Sequence, residues 1–82
     1  MKVIVTGGSG FIGTNFIDLL ENKSCEILNI DIKKPQKKSH LKYFECIDIN
    51  DFSSLENAIK NFQPEFIVHL AARTDLDGKD IH

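Results

Sequence analysis

The chain has 82 residues, 41% hydrophobic and 27% charged, with a formal net charge of −2. These proportions describe a globular segment rather than a disordered or fibrous one, and the length leaves room for one domain at most. Such a charge gives no general attraction to nucleic acid or to an anionic membrane. The first apolar run, Val3 to Val5, falls far short of the ~20 residues a membrane span needs, so the expectation is a cytoplasmic protein with neither a nucleic-acid nor a membrane partner.

In chain order, Lys2 to Thr6 is a β-branched run that reads as a strand. Phe11 to Asn22 follows with Ile12, Phe16, Leu19 and Leu20 at helical spacing. Glu26 to Asp31 reads as a second strand and Lys33 to His40 as a polar loop punctuated by Pro35. Leu41 to Ile47 is the third strand candidate, and Ser53-x-x-Glu56 carries a capping-box signature ahead of Leu55, Ala58, Ile59 and Phe62 at helical spacing. Gln63-Pro64 ends that helix, because proline disfavours helix in the residue before it, and Glu65 to Leu70 is the fourth strand.

Near-continuous apolar strands alternating with helices specify an α/β fold: a parallel sheet of about four strands with helices on both faces. Right-handed crossovers favour the order 3-2-1-4, a partial Rossmann fold whose winding reverses between strands 1 and 4. Ligands bind at that switch, beyond the carboxyl ends of the strands. Cys25 and Cys46 lack metal-binding spacing and fall at opposite ends of this sheet, which argues against a bridge between them.

The run Thr6-Gly7-Gly8-Ser9-Gly10-Phe11-Ile12-Gly13 sits at that switch and fits two overlapping templates. Gly8-x-Gly10-x-x-Gly13 matches the dinucleotide fingerprint, and Gly7-x-x-Gly10-x-x-Gly13 matches the short-chain dehydrogenase variant. In either case the first glycines turn the chain, Gly10 admits a pyrophosphate, and Gly13 lets helix pack on sheet. Asp31, 18 residues beyond Gly13, stands where a carboxylate accepts from adenosine ribose hydroxyls. Lys33, Lys34, Lys37 and Lys38 raise the alternative of a 2′-phosphate. A carboxylate facing that phosphate is repelled by up to ~4 kcal/mol per charge pair, whereas a solvated lysine returns about 0–1 kcal/mol. NAD is therefore the expected cofactor.

Three segments in this order, Thr6 to Gly13, Asp48-Ile49 and His69-Leu70-Ala71-Ala72, resemble the extended short-chain dehydrogenase/reductase family, in particular its NAD-dependent nucleotide-sugar epimerases and dehydratases. The resemblance covers nearly the whole chain, which is about the first quarter of a typical member. It implies that Asp48 bonds the adenine amino group and that Ile49 packs against the ring. It further implies that Ala71 and Ala72 line the nicotinamide-side ribose and the pyrophosphate, with Gly7, Gly10, Phe11, Ile12, Gly13 and Leu70 completing the cofactor contacts. From the residues alone, Asp48 and Asp51 fit solvated or helix-capping roles equally well, and the alanines fit simple packing. His69, inside an apolar run, reads as structural, and Arg73-Thr74-Asp75 as a solvated loop at the crevice mouth.

The family's chemistry uses a tyrosine with a lysine four residues later. The chain's single tyrosine, Tyr43, is followed at that spacing by Ile47, so no catalytic residue is assigned and none of the residues suggests a metal site. The expectation is residues 1–82 as the N-terminal part of a dinucleotide-binding domain, inactive alone, with the substrate domain and the nucleotide sugar belonging to a full-length parent. Two other readings stand beside it. One is a non-catalytic nucleotide-binding or assembly module, which could associate with another copy through an exposed edge at strand 4. The other is an NADP-dependent reductase of the same superfamily.

Overall fold

The computed structural model describes residues 1–71. Four parallel strands form one sheet, β1 (Lys2–Thr6), β2 (Glu26–Asp31), β3 (Phe44–Cys46) and β4 (Phe66–His69), in the order β3-β2-β1-β4. The expected order is thus observed. Two helices cover it, α1 (Phe11–Glu21) and α2 (Phe52–Phe62).

β1 is central, and its alternate side chains feed two separate cores. Val3 and Val5 pack with Ile17 and Leu20 of α1 and with Ile27 on one face. Ile4 packs with Ile30, Ile47 and Ala58 of α2 on the other. A strand buried on both faces reads as a continuous apolar run, which is why KVIVT shows no polar alternation. Each such aliphatic side chain contributes about 1.5–3 kcal/mol on burial.

Three local readings are corrected. The third strand does not run from Leu41 to Ile47: residues Lys38–Tyr43 form a 3-10 turn, and β3 keeps only Phe44–Cys46. Tyr43 therefore lies in the turn rather than in a strand. The stretch from Lys33 is not polar and solvated throughout, because His40 is completely buried. Its Nε2 lies 2.9 Å from Asp18 Oδ1 and 3.8 Å from Glu21 Oε1, both on α1. The Lys37 ammonium sits 2.6 Å from Asp18 Oδ2, and the Tyr43 hydroxyl donates to Glu21 Oε2 at 2.6 Å. These contacts pin the turn to the outer flank of α1 and override its local strand preference. The Lys37 hydrogen bond holds the Asp18 carboxyl below the usual range against partial desolvation, with His40 adding to the effect. Asp18, Glu21 and His40 come close enough to suggest a cation site, but the Lys37 ammonium already neutralises Asp18 there.

The third correction concerns α2, whose cap is Asp51 rather than Ser53. The Asp51 carboxylate accepts from the Ser54 amide at 3.3 Å and from its hydroxyl at 2.8 Å, which holds the carboxyl below its usual range. Asp51 thus takes the capping role that the residues had left open. At the far end Gln63 adopts a left-handed conformation (φ 52) and Pro64 follows, a common way to stop a helix. Cys25 and Cys46 are both free, and the β2–β3 register places Cys46 beside Asp31 at the carboxyl end while Cys25 precedes β2.

Because Tyr43 is the chain's single tyrosine, phenolate absorbance reads its bond to Glu21 directly. The Glu21 hydrogen bond, with desolvation and charge repulsion in support, pushes the hydroxyl up from 10.0 to about 12. A raised folded value means the contribution to stability is complete below the unfolded value and is lost as pH climbs through the folded one. A spectrophotometric titration is expected to give a midpoint near 12, and Glu21→Gln to bring it back toward 10.0.

Candidate functional site

The carboxyl ends of β1 and β2 are stitched together by the loop that leaves β1. The Gly7 amide donates to the Ile30 carbonyl at 2.8 Å, extending the ladder by one rung. The Gly8 amide donates to Asn29 Oδ1 at 2.9 Å and the Ser9 amide to Asp31 Oδ2 at 3.0 Å. Ser9 is held further: its hydroxyl accepts from Asn29 Nδ2 at 3.2 Å and its carbonyl from Gln36 Nε2 at 3.1 Å.

The next amides are different. Gly10 N–H reaches only the Gly7 carbonyl, at 3.5 Å, and the amides of Phe11, Ile12 and Gly13 have no acceptor among the described residues. Gly10 caps α1 without a side-chain bond, and the first turn carries no acidic residue. Unpaired N–H groups at a helix start, with the helix dipole behind them, favour an anion by about 0.3–1 kcal/mol, more where partly buried. The Phe11 and Ile12 side chains stand 75% and 69% exposed, so the turn that presents these amides is open to a ligand.

Each glycine of the run has its own reason. Gly7 has φ +77, and a Cβ there would lie 2.6 Å from the Ala71 backbone. A Cβ on Gly13 would strike the Gly7 carbonyl and lie 2.5 Å from the Gly8 Cα, so α1 starts against the loop itself. A Cβ on Gly8 would sit 2.5 Å from Asn29 Oδ1. At Gly10 it would meet only the Gly7 carbonyl at 3.8 Å, so the space over that residue is free.

Asp31 faces the loop, not bulk solvent. Its Oδ1 accepts from the Ile32 and Lys33 amides at 2.7 and 3.1 Å, and its Oδ2 from Ser9. A carboxylate offers roughly four acceptor positions, which leaves about one, on Oδ2, for a ligand hydroxyl. On the other side of β1, Thr6 holds the exit of β4: its hydroxyl lies 2.6 Å from His69 Nδ1, and its carbonyl accepts from the Leu70 amide at 2.8 Å. This brings Leu70 and Ala71 against Gly7 and gives His69 a structural bond.

Asp48 and Ile49 follow β3 at the same edge of the sheet. Asp48 is exposed and turns the chain by accepting from the Asn50 amide at 2.9 Å, while Ile49 is half-buried against the Ile4–Ile30 core. Ala72 and Arg73-Thr74-Asp75 lie outside the described residues. The sequence pattern missed Asn29, Ser9 and Gln36, whose side chains or backbone set the loop. The available signal was Asn29 itself, a lone amide among the apolar residues inside the strand EILNID. Two shallow concavities flank α2, one lined by Leu28, Cys46 and Phe62, the other by Phe52, Leu55 and Ile59. Neither includes the glycine loop, whose amides are the candidate site.

A parallel sheet with a glycine turn at its switch point, an open helix start and an acid ending β2 defines a Rossmann-type nucleotide-binding unit. The model of the NAD dependent epimerase/dehydratase family matches residues 3–80, and the chain belongs to that family. It is 36% identical, over 94% of its length, to a dTDP-glucose 4,6-dehydratase of Haemophilus influenzae, and covers 26% of that protein. Among solved structures it is similar to the Thermus thermophilus UDP-glucose 4-epimerase in complex with NAD, with a TM-score of 0.77 and 32% identity over 89% of this chain and 24% of that one. The Bacillus anthracis dTDP-glucose 4,6-dehydratase in complex with NAD gives 0.71 and 32% over 89% of this chain and 27% of that one. The chain thus spans about a quarter of the length of the curated relatives it matches. No helix among the described residues is long and apolar enough to cross a membrane.

The glycines separate by thermal unfolding. Gly7→Ala and Gly13→Ala are expected to lower the midpoint sharply, since backbone atoms block both, whereas Gly10→Ala is expected to leave it within a degree or two, roughly the change of a surface substitution.

Proposed function

We propose that this chain is the NAD-binding N-terminal portion of a nucleotide-sugar epimerase or dehydratase. The observation that carries the reading is the set of acceptor-free amides at Phe11, Ile12 and Gly13 beside an acid already anchored to the same loop. A diphosphate lies over the start of α1 and takes those amides, with Gly10 giving it room. Asp31 accepts a ribose hydroxyl through its remaining Oδ2 position. Asp48 and Ile49 hold the adenine, and Leu70, Ala71 and Ala72 line the path of the second ribose. NAD, when bound, supplies a hydride acceptor and donor for a sugar carbon in the parent enzyme. What these residues do is bind, orient and exclude competing ligands.

Two features favour NAD over NADP. A 2′-phosphate would face the Asp31 carboxylate, and Lys37, one of the four lysines of the adjoining loop, is already paired with Asp18. The kinship of the chain to epimerases and dehydratases carries the substrate class: a nucleotide sugar, handled by residues outside these 82. No tyrosine here has a lysine four residues on, so the chain alone turns over no sugar nucleotide. Residues 1–82 form the first part of the cofactor domain, in a protein active in the cytoplasm.

Titration of the chain with NAD, NADP and AMP tests this. NAD is expected to bind more tightly than NADP, AMP to keep much of the NAD affinity, and Gly10→Ala to weaken NAD about tenfold or more by filling the phosphate space. NADP preference would support the reductase reading, and a defined dimer with no nucleotide binding the assembly module.

A further inference from the structure

Asn29 is completely buried, in the middle of the sheet, in register with Val5. An amide in such a place is unfavourable unless both its ends are used. Here both are: Oδ1 accepts from the Gly8 amide and Nδ2 donates to the Ser9 hydroxyl. Its Oδ1 and Cγ also occupy the space that a Gly8 side chain would take, at 2.5 and 2.6 Å from the missing Cβ. A leucine has the same branched shape, though a larger volume, and would hold nothing in the loop. The polar group thus does something that packing does not require.

What it holds is the segment that leads into the phosphate-facing amides. Between Gly7, fixed by the ladder, and Thr14, fixed by its bond to the Gly10 carbonyl, Gly10 is the one residue whose amide meets a backbone acceptor among the described residues, the Gly7 carbonyl at 3.5 Å. The path of the loop is set instead by side chains of β2 and of the segment that follows. We infer that Asn29 is a positioning residue for phosphate recognition. It acts through Gly8 and Ser9 to aim the amides of Phe11 and Ile12, and Gly8 is glycine to admit Asn29 rather than the nucleotide. This rests on the NAD-binding reading above and extends it to a residue that touches no ligand.

The test compares two probes, ADP and adenosine, on the 82-residue chain and its Asn29→Leu variant, following the amide shifts of Phe11 and Ile12 by NMR. Removing both tethers is expected to weaken ADP about tenfold or more while adenosine changes by less than about threefold, with a cooperative thermal transition retained. Ser9→Ala, which cuts only the Nδ2 tether, is expected to shift ADP in the same direction by less. A folded Asn29→Leu that binds ADP as the wild type does, or that loses both probes equally, overturns the proposal. If Asn29→Leu does not fold, Ser9→Ala decides, and unchanged ADP affinity overturns it. A wild-type chain that binds neither probe overturns the NAD reading itself, and this inference with it.

Discussion

Three consecutive amides, those of Gly7, Gly8 and Ser9, are consumed by three consecutive residues at the end of β2, and everything at the candidate site depends on that pairing. The first bond is to a carbonyl and the next two are to side chains, so the loop peels off the ladder gradually. By the time α1 begins, the chain has left β2, and the following amides meet no acceptor among the described residues. A set of free amides is therefore a by-product of how a parallel strand pair ends: strand geometry decides which donors are satisfied, and helix geometry decides where the unsatisfied ones point.

That arrangement is braced from both sides of β1. On the β4 side, Thr6 brings Leu70 and Ala71 so close that only glycine fits at position 7. On the β2 side, Asp18 and Glu21 hold the 3-10 turn through His40, Lys37 and Tyr43, and Gln36, next to Lys37, reaches back to the Ser9 carbonyl. The outer flank of α1 thereby helps fix the loop at its inner end. Charged residues that a linear reading assigns to a solvated loop serve as a clamp on the site.

The elements that were legible in the sequence are those specified by local pattern. β1 and α1 follow from a β-branched run and a helical repeat, and the glycine spacing marks the switch point because strand, turn and helix occur in immediate succession. β3 was legible as a strand, but its start was not. His40 is buried by carboxylates from a helix some twenty residues earlier, and no periodicity between positions 38 and 47 records a contact of that range. The cap of α2 was misread for a smaller reason. Asp51 and Ser53 both suit the role, and the choice falls to the carboxylate because it engages the amide and the hydroxyl of Ser54 together. Spacing alone also could not separate Gly8 from its neighbours, since its constraint comes from Asn29, a residue on another strand.

Asp31 shows why recognition and scaffolding are hard to separate in this fold. Two of its amide partners follow it directly in the chain and the third is Ser9, so the carboxylate is fixed before any ligand arrives. Under the proposed function, a ribose hydroxyl then meets an oxygen that needs no reorganisation, and a 2′-phosphate meets a charge that cannot turn away without releasing Ser9. On that reading, displacing the carboxylate to admit such a phosphate would loosen the loop proposed to hold the diphosphate, so the same bond that shapes the loop would also select against a second anion next to it. Discrimination of this kind does not depend on the surrounding lysines, because their ammonium groups are solvated or, at Lys37, already paired, and cannot offset a fixed negative charge at contact distance.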